Sequence, residues 1–228
     1  VLGRNIVATT QPLAAQAGAA VFARGGNAID AALAAAITLT VVEPVMNGIG
    51  GDAFALVWDG AQLHGLNSSG RSPAAWSSAR FDGLDAMPLR GWDSVTVPGQ
   101  VAGWVALSER FGQLPFEDLF VDAIRHARDG FPVSPTIARQ WQQSAHDLHM
   151  HPGFSAFMPH GRAPETGEIW SFADQANTLE EIARTKGESF YRGRLADAIG
   201  AFAKVHGAAL TPADLAAHRS EWVTPIAT

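Results

Sequence analysis

From Ala28 to Val42 the chain is apolar around a helical turn, interrupted only by Asp30, Thr38 and Thr40. A helix of that kind has to be buried in protein or membrane. The run is shorter than the roughly 20 residues that span a bilayer, so it predicts a core helix. Its start is marked by Asn27, a capping residue, and Asp30 three positions on completes a near capping box; Pro44 stops it. Ahead of it, Gln11-Pro12 opens a helix to Ala23 that Gly25-Gly26 ends. The period then shortens. Residues 5–10 predict a short strand, Ala53–Trp58 an apolar strand, Asp59-Gly60 a hairpin turn, and residues 62–67 the returning strand.

Residues 71–90 carry Ser-Pro, Asp-Gly and Met-Pro breakers and predict a loop. A strand is expected over 93–97, turned by Pro98-Gly99 into a helix over Gln100–Phe111. Residues 115–128 form an amphipathic pattern with Leu119, Phe120, Ala123, Ile124 and Ala127 inward, ended by Asp129-Gly130. Ser134-Pro135 begins a further helix to about Leu148, and the proline- and glycine-rich stretch 151–167 reads as a surface excursion. Helices follow over Ala173–Thr185 and 187–206. Thr211-Pro212 caps a last short one, and residues 221–226 look like an entering strand. The mixture is one α/β domain, residues 1–228, with a helical second half.

Composition narrows the classes of function. Hydrophobic content of 47% and charged content of 17% mark a globular chain. A net charge of −6, with no basic run longer than two residues, argues against nucleic-acid binding, and no segment predicts a membrane span. The absence of cysteine removes disulfides and thiolate chemistry. Seven tryptophans against one tyrosine read as packing mass, with Trp58, Trp92, Trp104, Trp141 and Trp170 in segments that look core-facing. No basic-plus-apolar leader is visible and Val1 is not a start methionine, so periplasmic, secreted and cytoplasmic locations all stay open.

Several motifs invite chemistry and fail on their context. Gly48-Ile49-Gly50-Gly51 resembles a phosphate loop, yet no Lys-Ser or Lys-Thr follows, and the next element predicts a strand where such loops need a helix. His146, His149, His151 and His160 lack an orienting carboxylate pattern, so no metal site is assigned and no cofactor is expected. No Gly-x-Ser-x-Gly elbow localises a nucleophilic serine. Arg125-His126 and Arg128 complement the dipole at a helix end, a structural role that suffices.

Four stretches in order carry a resemblance: Arg24 through Ala32, Thr40-Val41-Val42-Glu43-Pro44, Asn47 through Phe54, and Thr96 through Gly103. Together they resemble the large subunit of the gamma-glutamyltranspeptidase family, a branch of the N-terminal-nucleophile (Ntn) hydrolases with an αββα sandwich. The resemblance covers almost all of this chain but only part of such an enzyme, an incomplete large subunit. It implies a precursor that cuts itself and a threonine or serine at the start of a partner small subunit as nucleophile. The nucleophile's own α-amino group would serve as base, with small-subunit amides holding the oxyanion. No residue of this chain is therefore assigned as a catalytic nucleophile. The glycine-rich loop would shape the floor of a cleft, and a small-molecule acyl amide would be the substrate.

The segment Asn67-Ser68-Ser69-Gly70-Arg71-Ser72-Pro73 is the expected substrate contact. In the transpeptidases an arginine in this region grips the α-carboxylate of the gamma-glutamyl group, work suited to a bidentate guanidinium. Aligned on Pro73, that position falls on Ser69. Arg71 lies two residues further, on the same face of an extended segment and about 6.6 Å along. Either it holds a carboxylate placed differently or it is a surface arginine. The Ser-Gly-Arg pattern is similar to that of the acylase-like members acting on glutaryl or cephalosporin side chains. Asn67, Ser69 and Arg71 are thus the candidate binding residues. The competing class is a non-catalytic fragment or scaffold.

Overall fold

The computed structural model describes residues 3–158 and 160–226. Along the chain stand α1 (Pro12–Ala23), α2 (Ala28–Val42), β1 (Ala53–Trp58), β2 (Leu63–Ser68), α3 (Gln100–Phe111), α4 (Val121–Asp129), β3 (Phe131–Pro132), α5 (Pro135–Leu148), β4 (Ile169–Trp170), α6 (Ala173–Thr185), α7 (Glu188–Arg192), α8 (Arg194–Val205), α9 (Pro212–Ala217) and β5 (Glu221–Val223). They divide between two compact units. One holds the described residues up to Gly48 with Phe111–Glu180, the other Ile49–Arg110 with the described residues from Glu181 onward.

In the first unit α2 starts as its sequence demands. The Asn27 carboxamide oxygen accepts from the amides of Ile29 and Asp30 at 2.9 and 3.0 Å, and the Asp30 carboxylate accepts from the Asn27 amide at 3.0 Å. Asp30 is fully buried and also accepts from the amides of Gln113 and Leu114, which ties the helix start to a distant turn. α1 packs closely on α2: a side chain at Gly18 would sit 2.7 Å from the Ala31 carbonyl oxygen. The expected all-round burial of α2 holds only in part. Ala28 and Ala32 are exposed, and with Leu39 they face Ile6, Val7 and Ala8 across an open groove of about 320 Å³. Residues 5–10 form no strand, because nothing among the described residues supplies the ladder partner that a strand requires.

The expected single helix over 115–128 winds tighter at first. Residues Phe116–Phe120 make a 3₁₀ turn before α4 begins. Three residues per turn place Phe116 and Leu119 on one side, and both are buried. The antiparallel pair β3–β4 sets Trp170 edge-on to the buried Trp141, ring centroids 4.8 Å apart.

The second unit is built on an antiparallel sheet of order β1-β2-β5. Ala53 pairs with Ser68 and Phe54 with Asn67 across the hairpin; Asn67 in turn pairs with Glu221 and Gly65 with Val223. Alternation therefore places Phe54, Leu56 and Trp58 of β1 on the same face as Gly65 and Asn67 of β2 and Glu221 and Val223 of β5. The opposite face packs on α3, where a side chain at Gly103 would stand 2.9 Å from the Ala53 Cβ. Trp58 is 64% exposed, which corrects its expected place in the core: a strand apolar on both sides does not reveal which side its own unit covers. Trp104, Trp141 and Trp170 are buried and Trp92 is half-buried.

Two further expectations change. Residues 93–97 form no strand but a 3₁₀ turn over Trp92–Ser94 and an irregular approach to α3, held to the neighbouring segment by a bond from the Val97 amide to the Arg71 carbonyl at 2.9 Å. The helix expected over 187–206 breaks at Gly193 into α7 and α8, because Gly193 is extended and the buried Ser189 hydroxyl accepts from the Leu195 amide, capping the second helix. The start of α9 matches its sequence: Thr211 and Asp214 form a reciprocal capping box.

Candidate functional site

The candidate residues lie where β2 runs out. Ser68 is fully buried, and its hydroxyl donates to the Gly99 carbonyl at 2.7 Å while sharing a 2.7 Å hydrogen bond with the Ser220 hydroxyl. The segment that follows is pressed against the approach to α3, backbone on backbone. A Cβ at Gly70 would lie 1.4 Å from the Val97 carbonyl oxygen, and one at Gly99 would lie 2.0 Å from the Ser68 carbonyl oxygen. No real Cβ occupies such space, so only glycine permits this approach. The Gly70 amide donates to the Asp52 carboxylate at 3.0 Å and the Ala74 amide to Asp214 at 2.9 Å. Both ends of the segment are thus anchored.

Behind it stands the chain's single tyrosine. The Tyr191 hydroxyl donates to the Pro98 carbonyl at 2.8 Å and accepts from the Ala102 amide at 3.0 Å, satisfying an orphan donor in the first turn of α3. Burial pushes the phenol well above its ordinary range, so it stays protonated as the donor that Pro98 requires. The His218 ring stacks on Tyr191 with centroids 5.5 Å apart and planes at 20°. Its Nε2 has no hydrogen-bond partner among the described residues. Burial first, then Arg219 and Arg71, hold this imidazole below its usual value against the opposing pull of Asp52 and Glu221.

On that frame the three candidates are neighbours. The Asn67 carboxamide oxygen accepts from the Ser69 amide at 3.0 Å, a local turn that leaves the carboxamide nitrogen as a donor for other groups. The Arg71 side chain is 83% exposed and its Nη2 donates to the Glu221 carboxylate at 2.9 Å. Glu221 is the cross-strand neighbour of Asn67, so amide, guanidinium and carboxylate gather at one edge of the exposed sheet face. Glu221, Tyr191 and His218 did not stand out in the sequence. Glu221 was legible only as part of a strand, and its pairing with Arg71 spans 150 residues.

Other charged and imidazole side chains pair away from this edge. Arg128 pairs with Glu180 at 2.6 Å, and Arg125 with Asp122 at 3.0 Å. His149 Nδ1 bonds the His146 carbonyl at 2.8 Å. Among the described residues no three His, Asp or Glu side chains gather to hold a metal ion, and no helix is long and apolar enough to cross a membrane. At Gly48 and Gly50 a Cβ would meet nothing within 4 Å; the close backbone approaches occur at Gly70 and Gly99 instead.

A unit with a small antiparallel sheet backed by helices and a second, largely helical unit make up a mixed α/β architecture of the kind seen in Ntn hydrolases of known structure. The chain belongs to the gamma-glutamyltranspeptidase family, whose model matches residues 14–228. It is 37% identical over 98% of its length to the glutathione hydrolase-like YwrD proenzyme of Bacillus subtilis, covering 43% of that protein. Among solved structures, cephalosporin acylase from Bacillus halodurans aligns over 99% of this chain and 45% of its own, with 46% identity and a TM-score of 0.92. Gamma-glutamyltranspeptidase from Pseudomonas nitroreducens aligns over 99% and 68%, with 28% identity and a TM-score of 0.91. The chain spans less than half the length of the curated relatives it matches.

Proposed function

We propose that this chain is the N-terminal portion of the large subunit of a self-processing amidohydrolase or acyltransferase that cleaves gamma-glutamyl or related acyl amides. The attacking hydroxyl belongs to a threonine or serine at the start of a small subunit, activated by its own α-amino group. This chain supplies the acyl-group edge, with Arg71 gripping the substrate carboxylate and Asn67 and Ser69 beside it. The observation that carries the reading is the placement of Arg71: an exposed guanidinium on a backbone locked by Gly70 against Val97. A cation on an anchored backbone, next to amide donors, suits a carboxylate-bearing acyl group.

The same face supports the partner. Phe54, Leu56 and Trp58 are 70%, 70% and 64% exposed on one side of a sheet, an apolar surface of the kind that a second layer covers. The small subunit is that layer. Proenzyme relatives, each longer than this chain, fit an arrangement in which one precursor supplies both parts.

A second reading within the family, a cephalosporin or glutaryl acylase, is supported by the 46% identity to the Bacillus halodurans cephalosporin acylase. The test is expression of the full reading frame. The expected result is cleavage into two chains, the smaller beginning with Thr or Ser by mass spectrometry, and release of nitroaniline from gamma-glutamyl or glutaryl anilides. An intact precursor without turnover would leave a scaffold, and the enzyme reading would fall.

A further inference from the structure

His218 closes α9 and is 9% exposed. Its ring lies flat on Tyr191, and its Cε1 stands 3.2 Å from the position a Cβ would take at Gly99. It therefore packs against the turn that receives the hydroxyls of Ser68 and Tyr191. Those hydroxyls and that of Ser220 are bonded, whereas the buried Nε2 of His218 has no partner among the described residues. This imidazole is also the group of the frame that changes charge near neutral pH, since burial holds the Tyr191 phenol far above it. Charges of both signs act on the ring: Asp52 and Glu221 favour a proton there, Arg219 and Arg71 oppose one. Both carboxylates are already engaged. Asp52 accepts from the Gly70 amide at 3.0 Å and Glu221 from the Arg71 guanidinium at 2.9 Å.

We propose that His218 is a positioning residue for the segment from Ser68 to Arg71, holding it in place when neutral and loosening it when protonated. This rests on the amidohydrolase reading above, in which that segment meets the acyl group. The neutral ring fills the space beside Tyr191 and Gly99 and makes no demand on the carboxylates. A buried imidazolium needs an anion. The anions that act on it are the ones that fix the Gly70 amide and the Arg71 side chain, so the new charge competes for both. It also opposes the Arg71 guanidinium as a like charge. The segment thus loses its anchor at Gly70 and its guanidinium shifts, while the nucleophile, on another chain, is untouched. The mark of this device is a loss of substrate affinity at acid pH, with turnover of bound substrate following only its own base. Burial holds the ring below its ordinary value, so the loss sets in below about pH 6.5.

The experiment measures KM and kcat separately between about pH 7.5 and pH 5, on whichever of gamma-glutamyl or glutaryl nitroanilide the full-length processed enzyme cleaves. In the wild type KM should rise roughly threefold or more toward the acid end, the linkage expected when the neutral form binds better. His218→Phe keeps a ring on Tyr191 and cannot take a proton, so its KM should stay level apart from the substrate's own titration. Asp52→Asn keeps an oxygen for the Gly70 amide and removes a charge that draws the imidazolium. Its KM should level as well, and it carries the test if His218→Phe does not fold. In all three enzymes kcat should follow one profile, set by the α-amino base. A wild-type KM independent of pH, or the same rise in the variants, overturns the role of His218 and leaves the amidohydrolase reading standing. So does a change confined to kcat. Processed wild-type enzyme inert to both substrates overturns both proposals.

Discussion

The carboxylate of Asp30, in the first turn of α2, accepts a 3.0 Å hydrogen bond from the backbone amide of Gln113, 83 residues further along. Leu114 donates to the same oxygen at 3.2 Å and Asn27 at 3.0 Å. One fully buried side chain thus caps a helix and receives a turn from elsewhere in its unit.

Asp30→Ala should therefore cost more than an ordinary capping loss of ~1 kcal/mol. It removes the acceptor of the Asn27, Gln113 and Leu114 amides at a fully buried position, a penalty of about 3 kcal/mol in total. Denaturant unfolding of the full-length processed protein checks this. A loss under about 1 kcal/mol would mean that the amides find other acceptors.

Gly70→Ala and Gly99→Ala should each destabilise by about 3 kcal/mol or prevent folding, because the added carbon would meet backbone oxygen at 1.4 and 2.0 Å. Gly48→Ala is the control, since nothing lies within 4 Å of its Cβ position. Melting midpoints of the three variants, measured side by side, separate close approach from a general intolerance of side chains in the glycine-rich turns.

Arg71→Ala in the processed enzyme should lower kcat/KM roughly 10–150-fold for carboxylate-bearing acyl amides, the loss expected for a hydrogen-bonded charge pair worth ~1.5–3 kcal/mol. An uncharged acyl analogue should be little affected. Parallel loss on both substrates would make Arg71 a structural residue.

Stability should fall as pH drops below about 6.5, through His126 and His218. Burial lowers both imidazoles relative to the unfolded chain, whose histidines titrate near 6.5. Above that value both states are neutral and nothing is lost. Below it the unfolded state binds protons first, so unfolding is favoured until the folded imidazoles also titrate. His218→Phe keeps a ring on Tyr191 and removes the titration, so the melting midpoint should fall less steeply between about pH 7 and pH 5. An unchanged slope would show that His218 does not contribute.

What the sequence alone determined is short-range. Asn27 with Asp30, Ser134 with Pro135, and Thr211 with Asp214 each start a helix where they stand. Asp59-Gly60 turns the hairpin, with the Asp59 amide bonded to the Gln62 carbonyl. Caps and turns satisfy backbone groups within four residues, so local residue types suffice to announce them. The candidate segment from Asn67 to Arg71 was legible for a different reason, a resemblance in residue pattern.

Tertiary structure decided everything that depends on who lies opposite. Residues 93–97 have strand-like composition but only an irregular neighbour, and residues 5–10 have no ladder partner among the described residues, so neither becomes a strand. Phe54, Leu56 and Trp58 look like core and are exposed, since alternation names two faces without saying which one the rest of the unit fills. Glu221 meets Arg71 because an antiparallel register carries it beside Asn67. Such contacts join positions far apart in the chain, and their free energy comes from packing and charge in three dimensions, which no local pattern of residues encodes.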